Sequence, residues 1–111
     1  MNNTIMFSIV IPTYNQKNFI KSCLDSCFAQ TYKNFEILVV DNNSEDGTKE
    51  ILKSYQDKIK FFTTNNKGII SVSRNIAINQ AKGDWIVLLD SDDFFKPNKL
   101  EELHSCIKKK F

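Results

Sequence analysis

Apolar positions along the chain fall into two alternating rhythms. Phe7 to Ile11 (FSIVI) is an unbroken apolar stretch rich in β-branched residues and closed by Pro12. A stretch of this kind suits a strand covered on both faces. A helical stripe follows at Phe19, Ile20, Cys23, Leu24, Cys27 and Phe28, with steps of three and four. Phe35 to Val40 (FEILVV) predicts a second buried strand, and it runs into the turn-forming sequence Asp41-Asn42-Asn43-Ser44. Ser44 is placed to cap a second helix, with Glu45 and Asp46 in its first turn and Ile51, Leu52 and Tyr55 on its inner face. Ile59 to Thr63 predicts a weaker third strand, and Asn65-Asn66-Lys67-Gly68 a loop. Ile70 to Ala81 predicts a third helix, with Gly83 at its C′ position. Trp85 to Leu89 (WIVLL) predicts a fourth buried strand leading into Asp90-Ser91-Asp92-Asp93. Pro97 opens a last helix with Leu100, Leu103 and Ile107 on one face.

Strands alternating with helices predict an α/β fold: a mainly parallel sheet of about four strands with helices on both faces. Ligands of such sheets bind at the carboxyl ends of the strands. That rule selects the loops Pro12–Gln16, Asp41–Thr48 and Asp90–Asp93.

Composition narrows the function. The chain has 111 residues, which suits one domain over 1–111. Fifteen basic against thirteen acidic residues leave a net charge of +2, too balanced for a nucleic-acid partner on charge alone. No apolar stretch is long enough for a bilayer, and Met1-Asn2-Asn3-Thr4 lacks a leader's basic start, so a cytoplasmic protein is expected. Three cysteines fit a reducing compartment. Cys23 and Cys27 read as small buried hydrophobes, because no nearby Cys or His completes a zinc set. His104, the one histidine, reads as a packing residue on the last helix, and Lys108 to Lys110 as charges at its carboxyl end.

Only Gly47, Gly68 and Gly83 occur, so neither GxGxxG nor GxxxxGK[ST] is possible. A diphosphate must be held another way. Asp90 and Asp92, one residue apart past a strand, can hold Mg²⁺ or Mn²⁺, which in turn holds phosphates. Asp41 has two readings: an acceptor for a base N–H, favouring uracil, or an Asx turn that introduces the second helix.

Four segments in order resemble the start of family 2 glycosyltransferases. They are Ser8-Ile9-Val10-Ile11-Pro12-Thr13-Tyr14-Asn15, Val40-Asp41-Asn42-Asn43-Ser44-Glu45-Asp46-Gly47-Thr48, Lys67-Gly68 with Ser73-Arg74-Asn75-Ile76-Ala77, and Gly83 through Asp93. The resemblance implies the Rossmann-like GT-A fold and transfer of sugar from a nucleoside-diphosphate donor, with inversion and a divalent metal. It places Pro12, Thr13, Tyr14 and Asn15 at the nucleotide and Asp41 at the base. Lys67 and Gly68 fall beside the pocket, and Arg74 by the base or phosphates. Asp90 and Ser91 are placed at the sugar nucleotide, Asp92 with Asp90 at Mn²⁺ or Mg²⁺, and Asp93 as a weaker ligand. Where the family often has Asp-Asp-Gly-Ser, this chain has Asp41-Asn42-Asn43-Ser44, and Asn43 can adopt glycine's left-handed backbone.

In the family an acceptor-binding half with an acidic general base follows the metal motif. No carboxylate after Asp93 resembles that base, so no catalytic residue is assigned. The expectation is a donor-binding half, either a fragment of a longer enzyme or a short gene product without that base; the full-length enzyme, membrane-peripheral in one reading, would act on a glycan or lipid-linked acceptor. A non-catalytic remnant or interaction module, pairing as a homodimer through uncovered surfaces, is the alternative. A phosphohydrolase is disfavoured because its Asp pair follows the first strand rather than the fourth.

Overall fold

Four strands and four helices form in alternation. The strands are β1 (Phe7–Thr13), β2 (Phe35–Asp41), β3 (Lys60–Thr63) and β4 (Trp85–Leu88), and the helices α1 (Ile20–Phe28), α2 (Thr48–Lys53), α3 (Ile70–Gln80) and α4 (Lys99–Lys110). The structure, a computed structural model, describes residues 5–110; the Met1-Asn2-Asn3-Thr4 start lies outside them. The sheet order is β3-β2-β1-β4 and every pairing is parallel. All four carboxyl ends therefore open on one edge.

Alternation within β1 and β2 builds two apolar layers. Phe7, Ile9, Ile11, Ile37 and Val39 pack with Ile20, Leu24 and Cys27 of α1, Leu52 of α2 and Leu100 of α4. Val10, Leu38 and Val40 pack with Ala77 of α3 on the other face. Both faces are covered, which is why these strands read as continuous apolar runs. Burial pushes the Cys27 thiol up to about 12 and raises Cys23 as well, so both behave as inert packing groups. His104 packs its ring 4.7 Å from that of Tyr32.

Four expectations are corrected. Pro12 does not close the first strand, which runs on to Thr13. The Val10 carbonyl faces β4 and that of Thr13 faces β2, so Pro12 points to the β4 side. There β4 has already ended, opposite Val10, and the missing N–H leaves no gap in the ladder. Ser44 does not cap α2. Asp46 accepts the Thr48 N–H at 3.0 Å and its hydroxyl at 2.6 Å, while Gly47 turns the chain at φ 106°.

Gly83 is not a C′ residue, because its φ is not left-handed and the helix ends on extended Ala81. It is required by close approach. A Cβ there would lie 2.8 Å from the Ser8 nitrogen and 2.9 Å from the Met6 carbonyl oxygen. Lastly, β4 is an edge strand and not a buried one: Trp85, Ile86 and Leu88 are 42%, 38% and 47% exposed.

Gln30 fixes α4 in a way that hydropathy does not reveal. Its fully buried side chain donates to the Lys96 carbonyl at 2.7 Å and accepts the Leu100 N–H at 2.9 Å. That N–H belongs to the first turn of α4 and has no partner within the helix.

Glu36 ties the amino ends of the strands together. Its carboxylate pairs with Lys60 at 2.7 Å and accepts the Ser8 hydroxyl and the Lys82 N–H, both at 2.6 Å. Desolvation pushes its pKa up, but these donors outweigh it and hold the carboxyl below its ordinary 4.5. The stabilisation is therefore complete above that value and is lost as pH falls through the folded pKa. Glu36→Gln should cost about 2 kcal/mol at neutral pH in urea unfolding. Its stability should also fall less steeply than wild type in acid; parallel acid curves would refute this role. Gly83→Ala should cost ~1–3 kcal/mol by overpacking against backbone, and an unchanged urea midpoint would contradict the close approach.

Candidate functional site

The loops after β1, β2 and β3 are joined by side chain-to-backbone hydrogen bonds. Asn15, left-handed at φ 50°, donates its N–H to the Ser44 hydroxyl at 2.9 Å and accepts the Glu45 N–H at 2.8 Å. The Gln16 N–H reaches the Thr48 hydroxyl at 3.0 Å. The Asn42 N–H donates to the Thr13 carbonyl, and the Asn42 side chain accepts the Asn66 N–H at 2.9 Å. Asn66 in turn donates to the Ser73 hydroxyl at 3.0 Å, and its side chain also accepts the Ile69 N–H at 2.9 Å, at the start of α3. Asn and Ser in these loops thus serve as connectors, a use of short polar side chains that local turn chemistry explains.

Between these loops and the turn after β4 lies a cleft of about 380 Å³. Pro12, Thr13 and Tyr14 line one side, Gly68 another, and Asp90, Ser91 and Asp92 a third. The structure thus brings seven of the candidate residues to one place. Two hollows adjoin it. One, of about 310 Å³, shares Tyr14, Asn42 and Gly68 and contains Lys67. The other, of about 470 Å³, shares Asp90 and contains Arg74 and Asp93.

Register explains the meeting of the first and last motifs. Phe7 lies opposite Trp85 and Val10 opposite Leu88. Two residues further along each strand come Pro12 and Asp90. The turn is held by the Asp90 carbonyl, which accepts the Asp93 N–H at 3.0 Å.

Two candidates stand back from the cleft. Asp41 is fully buried, and its carboxylate accepts both the N–H and the hydroxyl of Ser44. Of its two readings, the Asx turn is the one realised in this structure. Asn15 is committed to the β2 loop as described above. Asn43 adopts the left-handed φ of 57° that its place in the loop led us to expect. Sequence reasoning missed Gln16, Asn42, Ile70 and Ser73 in the main cleft. Asn42 and Gln16 follow directly from the carboxyl-edge rule. Ile70 and Ser73 stand at the start of α3, which follows the carboxyl end of β3 and is tied there by Asn66.

Arg74 approaches Asp90 with 3.5 Å between Nη2 and Oδ1. Both side chains are substantially exposed, so the pair contributes little stability. The Arg74 Nε and the Thr13 hydroxyl are buried and have no hydrogen-bond partner among the described residues. Among the described residues, no group of three or more His, Cys, Asp or Glu side chains could hold a metal ion. Asp90 and Asp92 nevertheless fit Mg²⁺ or Mn²⁺, which bind through one or two carboxylates with phosphates completing the shell. Asp93 lies in the neighbouring hollow and accepts the Phe94 N–H.

Known proteins share this fold. Residues 8–110 match the sequence model of Glycosyl transferase family 2. An uncharacterized glycosyltransferase of Rickettsia typhi is 42% identical over 104 residues, covering 94% of this chain and 32% of that protein. The crystal structure of S. aureus TarS 1-349 in complex with UDP-GlcNAc superposes with a TM-score of 0.83 at 32% identity, covering 95% of this chain and 32% of that one. The mannosyltransferase PcManGT of Pyrobaculum calidifontis, in complex with GDP-Man and Mn²⁺, gives 0.74 at 26% identity, covering 92% and 31%. The chain thus spans about a third of each. No helix among the described residues is long and apolar enough to cross a membrane.

Thr13→Val removes a hydroxyl that satisfies nothing in the ligand-free chain. Its unfolding free energy should be unchanged or raised by up to ~1 kcal/mol. A loss above that in urea unfolding would show that the hydroxyl has a structural partner.

Proposed function

The chain belongs to glycosyltransferase family 2, and from that premise we propose that it binds a nucleoside-diphosphate sugar in the 380 Å³ cleft for transfer to an acceptor hydroxyl. One observation carries the proposal: segments around residues 12, 42, 70 and 91, far apart in sequence, converge on one cleft at the carboxyl edge. UDP is the nucleotide we favour, since the TarS structures hold UDP and UDP-GlcNAc.

In this reading the nucleoside lies against Pro12, Thr13 and Tyr14. The unpartnered Thr13 hydroxyl is available to a polar atom of the ligand. Asp41 and Asn15 act from behind, by holding the loop that presents Asn42. Lys67 and Gly68 border the far end. Arg74, already turned toward the acidic corner, meets diphosphate charge through its guanidinium. Asp92 and Asp90 would hold Mn²⁺ or Mg²⁺, which when bound supplies Lewis-acid stabilisation of the departing diphosphate. Inversion follows from a single displacement at the anomeric carbon, with a base elsewhere removing the acceptor proton. The two carboxylates on α4 do not read as that base. Glu101 accepts the Thr31 hydroxyl and Glu102 the Asn98 amide. We therefore assign the described residues to donor binding in glycan synthesis on the cytoplasmic side, with turnover by this chain alone slow or absent.

A second reading, an interaction module, is favoured by the exposed apolar face of β4. Size-exclusion chromatography showing a homodimer, with no nucleotide affinity, would support it instead.

Calorimetry with UDP and Mn²⁺ tests the proposal. Wild type should bind, and Asp92→Asn should weaken binding roughly tenfold or more, about 1.4 kcal/mol. Absence of heat at millimolar UDP with Mn²⁺ present would contradict it.

A further inference from the structure

The end of the sheet opposite the cleft carries positive charge that the fold leaves largely unpaired. Lys33 stands just before β2, Lys58 and Lys60 at the start of β3, and Lys82 just before β4. Lys53 ends α2 and Lys108 to Lys110 end α4. α4 reaches this end, since His104 packs on Tyr32 and the Tyr32 ring meets that of Phe7, which opens β1, at 5.4 Å. We propose that this end is a docking surface for an anionic phospholipid bilayer, with Trp85 seated among the headgroups.

Charge complementarity selects the partner. The carboxylates at this end are Asp25, Glu36, Asp57 and Asp84. Asp25 already pairs with Lys21 and Glu36 with Lys60, each at 2.7 Å. Of the lysines named above, Lys60 alone has an ion-pair partner among the described residues. Lysines near helix ends complement the helix dipole, and Lys33 donates to the Phe28 carbonyl at the end of α1. Lys58, Lys60 and Lys82 lie outside the helices, where no dipole accounts for them. The chain as a whole is only +2, and the cleft end holds Asp90, Asp92 and Asp93. An anionic surface therefore attracts one end of the molecule and repels the other.

Trp85 turns that attraction into a seat. It is the first residue of β4, which places it at this same end, and it is 42% exposed. Indole and lysine side chains each join an apolar body to a polar tip, which suits both to a bilayer interface. The resulting pose points the carboxyl edge away from the lipid. β1 is seven residues long, which lifts the cleft about 20 Å from the docking face. That exceeds a Debye length on the order of 8 Å at physiological salt. The cleft thus stays open to water, and its affinity for a nucleotide is independent of these lysines.

Trp85 is the chain's one tryptophan, so its fluorescence reports the seat directly. The test mixes the protein at low salt with vesicles of phosphatidylcholine, with and without about one-third phosphatidylglycerol. Co-sedimentation should occur with the anionic vesicles alone and fade as salt is raised. Trp85 emission should shift to the blue and become harder to quench with acrylamide. Lys108→Gln, Lys109→Gln and Lys110→Gln together should weaken vesicle binding roughly 10- to 100-fold. These side chains are exposed, so the urea midpoint and the UDP titration should stay close to wild type. Lys58→Gln with Lys82→Gln, outside any helix, substitutes if that midpoint falls. No binding to anionic vesicles at low salt would overturn the proposal. So would equal binding by the variant, or unshifted Trp85 emission in the vesicle-bound protein. Capture by polyglutamate without vesicle binding would overturn it in favour of an acidic protein partner.

Discussion

The contact between Gly83 and the start of β1 sets the position of everything that follows it. The Gly83 N–H meets the Ser8 hydroxyl at 2.8 Å, and the Met6 carbonyl takes the Asp84 N–H at 2.7 Å. The Asp84 carboxylate in turn accepts the Met6 N–H. Together these pin the first residue of β4 opposite Phe7. Once that register is fixed, a parallel strand has no freedom to place its carboxyl end elsewhere. A slip of one residue would exchange the faces of Ile86 and Val87 and move Asp90 away from Pro12.

From that anchor the remaining geometry follows by short links. β1 aligns β2 through seven paired residues, and β2 aligns β3 through four. Their carboxyl ends carry loops that bind one another through Asn15, Asn42, Ser44 and Asn66. Most of these side chains are occupied as connectors, and the cleft is lined as well by Pro12, Tyr14, Ile70 and the acidic corner. The exposed carboxylates of Asp90 and Asp92 thus stand in water at the end of a rigid element.

Hydropathy revealed the elements well because β1 and β2 are covered on both sides and α1 shows a clean stripe of Ile20, Cys23, Leu24 and Cys27. The misreadings share one cause. Pro12, Ser44 and Gly83 were interpreted through their local propensities, as strand stop, helix cap and helix end. In the structure each answers to a partner on another segment: Pro12 to the length of β4, Ser44 to Asn15 as well as to its neighbour Asp41, and Gly83 to the backbone at Met6 and Ser8. The burial of β4 was inferred from its composition, yet its exposure depends on its place at the sheet edge, which no local pattern encodes. The acidic corner was legible because it follows a strand directly. Ile70 and Ser73 were less so, because they lie beyond the loop that follows β3, where Asn66 fixes the start of α3. Gln30, a buried amide, runs against the usual hydropathy of the interior.

In the proposed donor site the corner at Asp90 and Asp92, held in register by β4, grips a cation together with a diphosphate. A crystal of this chain soaked with UDP and Mn²⁺ tests it most directly. Metal density should appear between the diphosphate and a carboxylate oxygen of Asp92, with bonds of about 2 Å as expected for a small hard divalent ion. UDP bound in the cleft with both carboxylates turned away from it, and no metal beside them, would contradict the account.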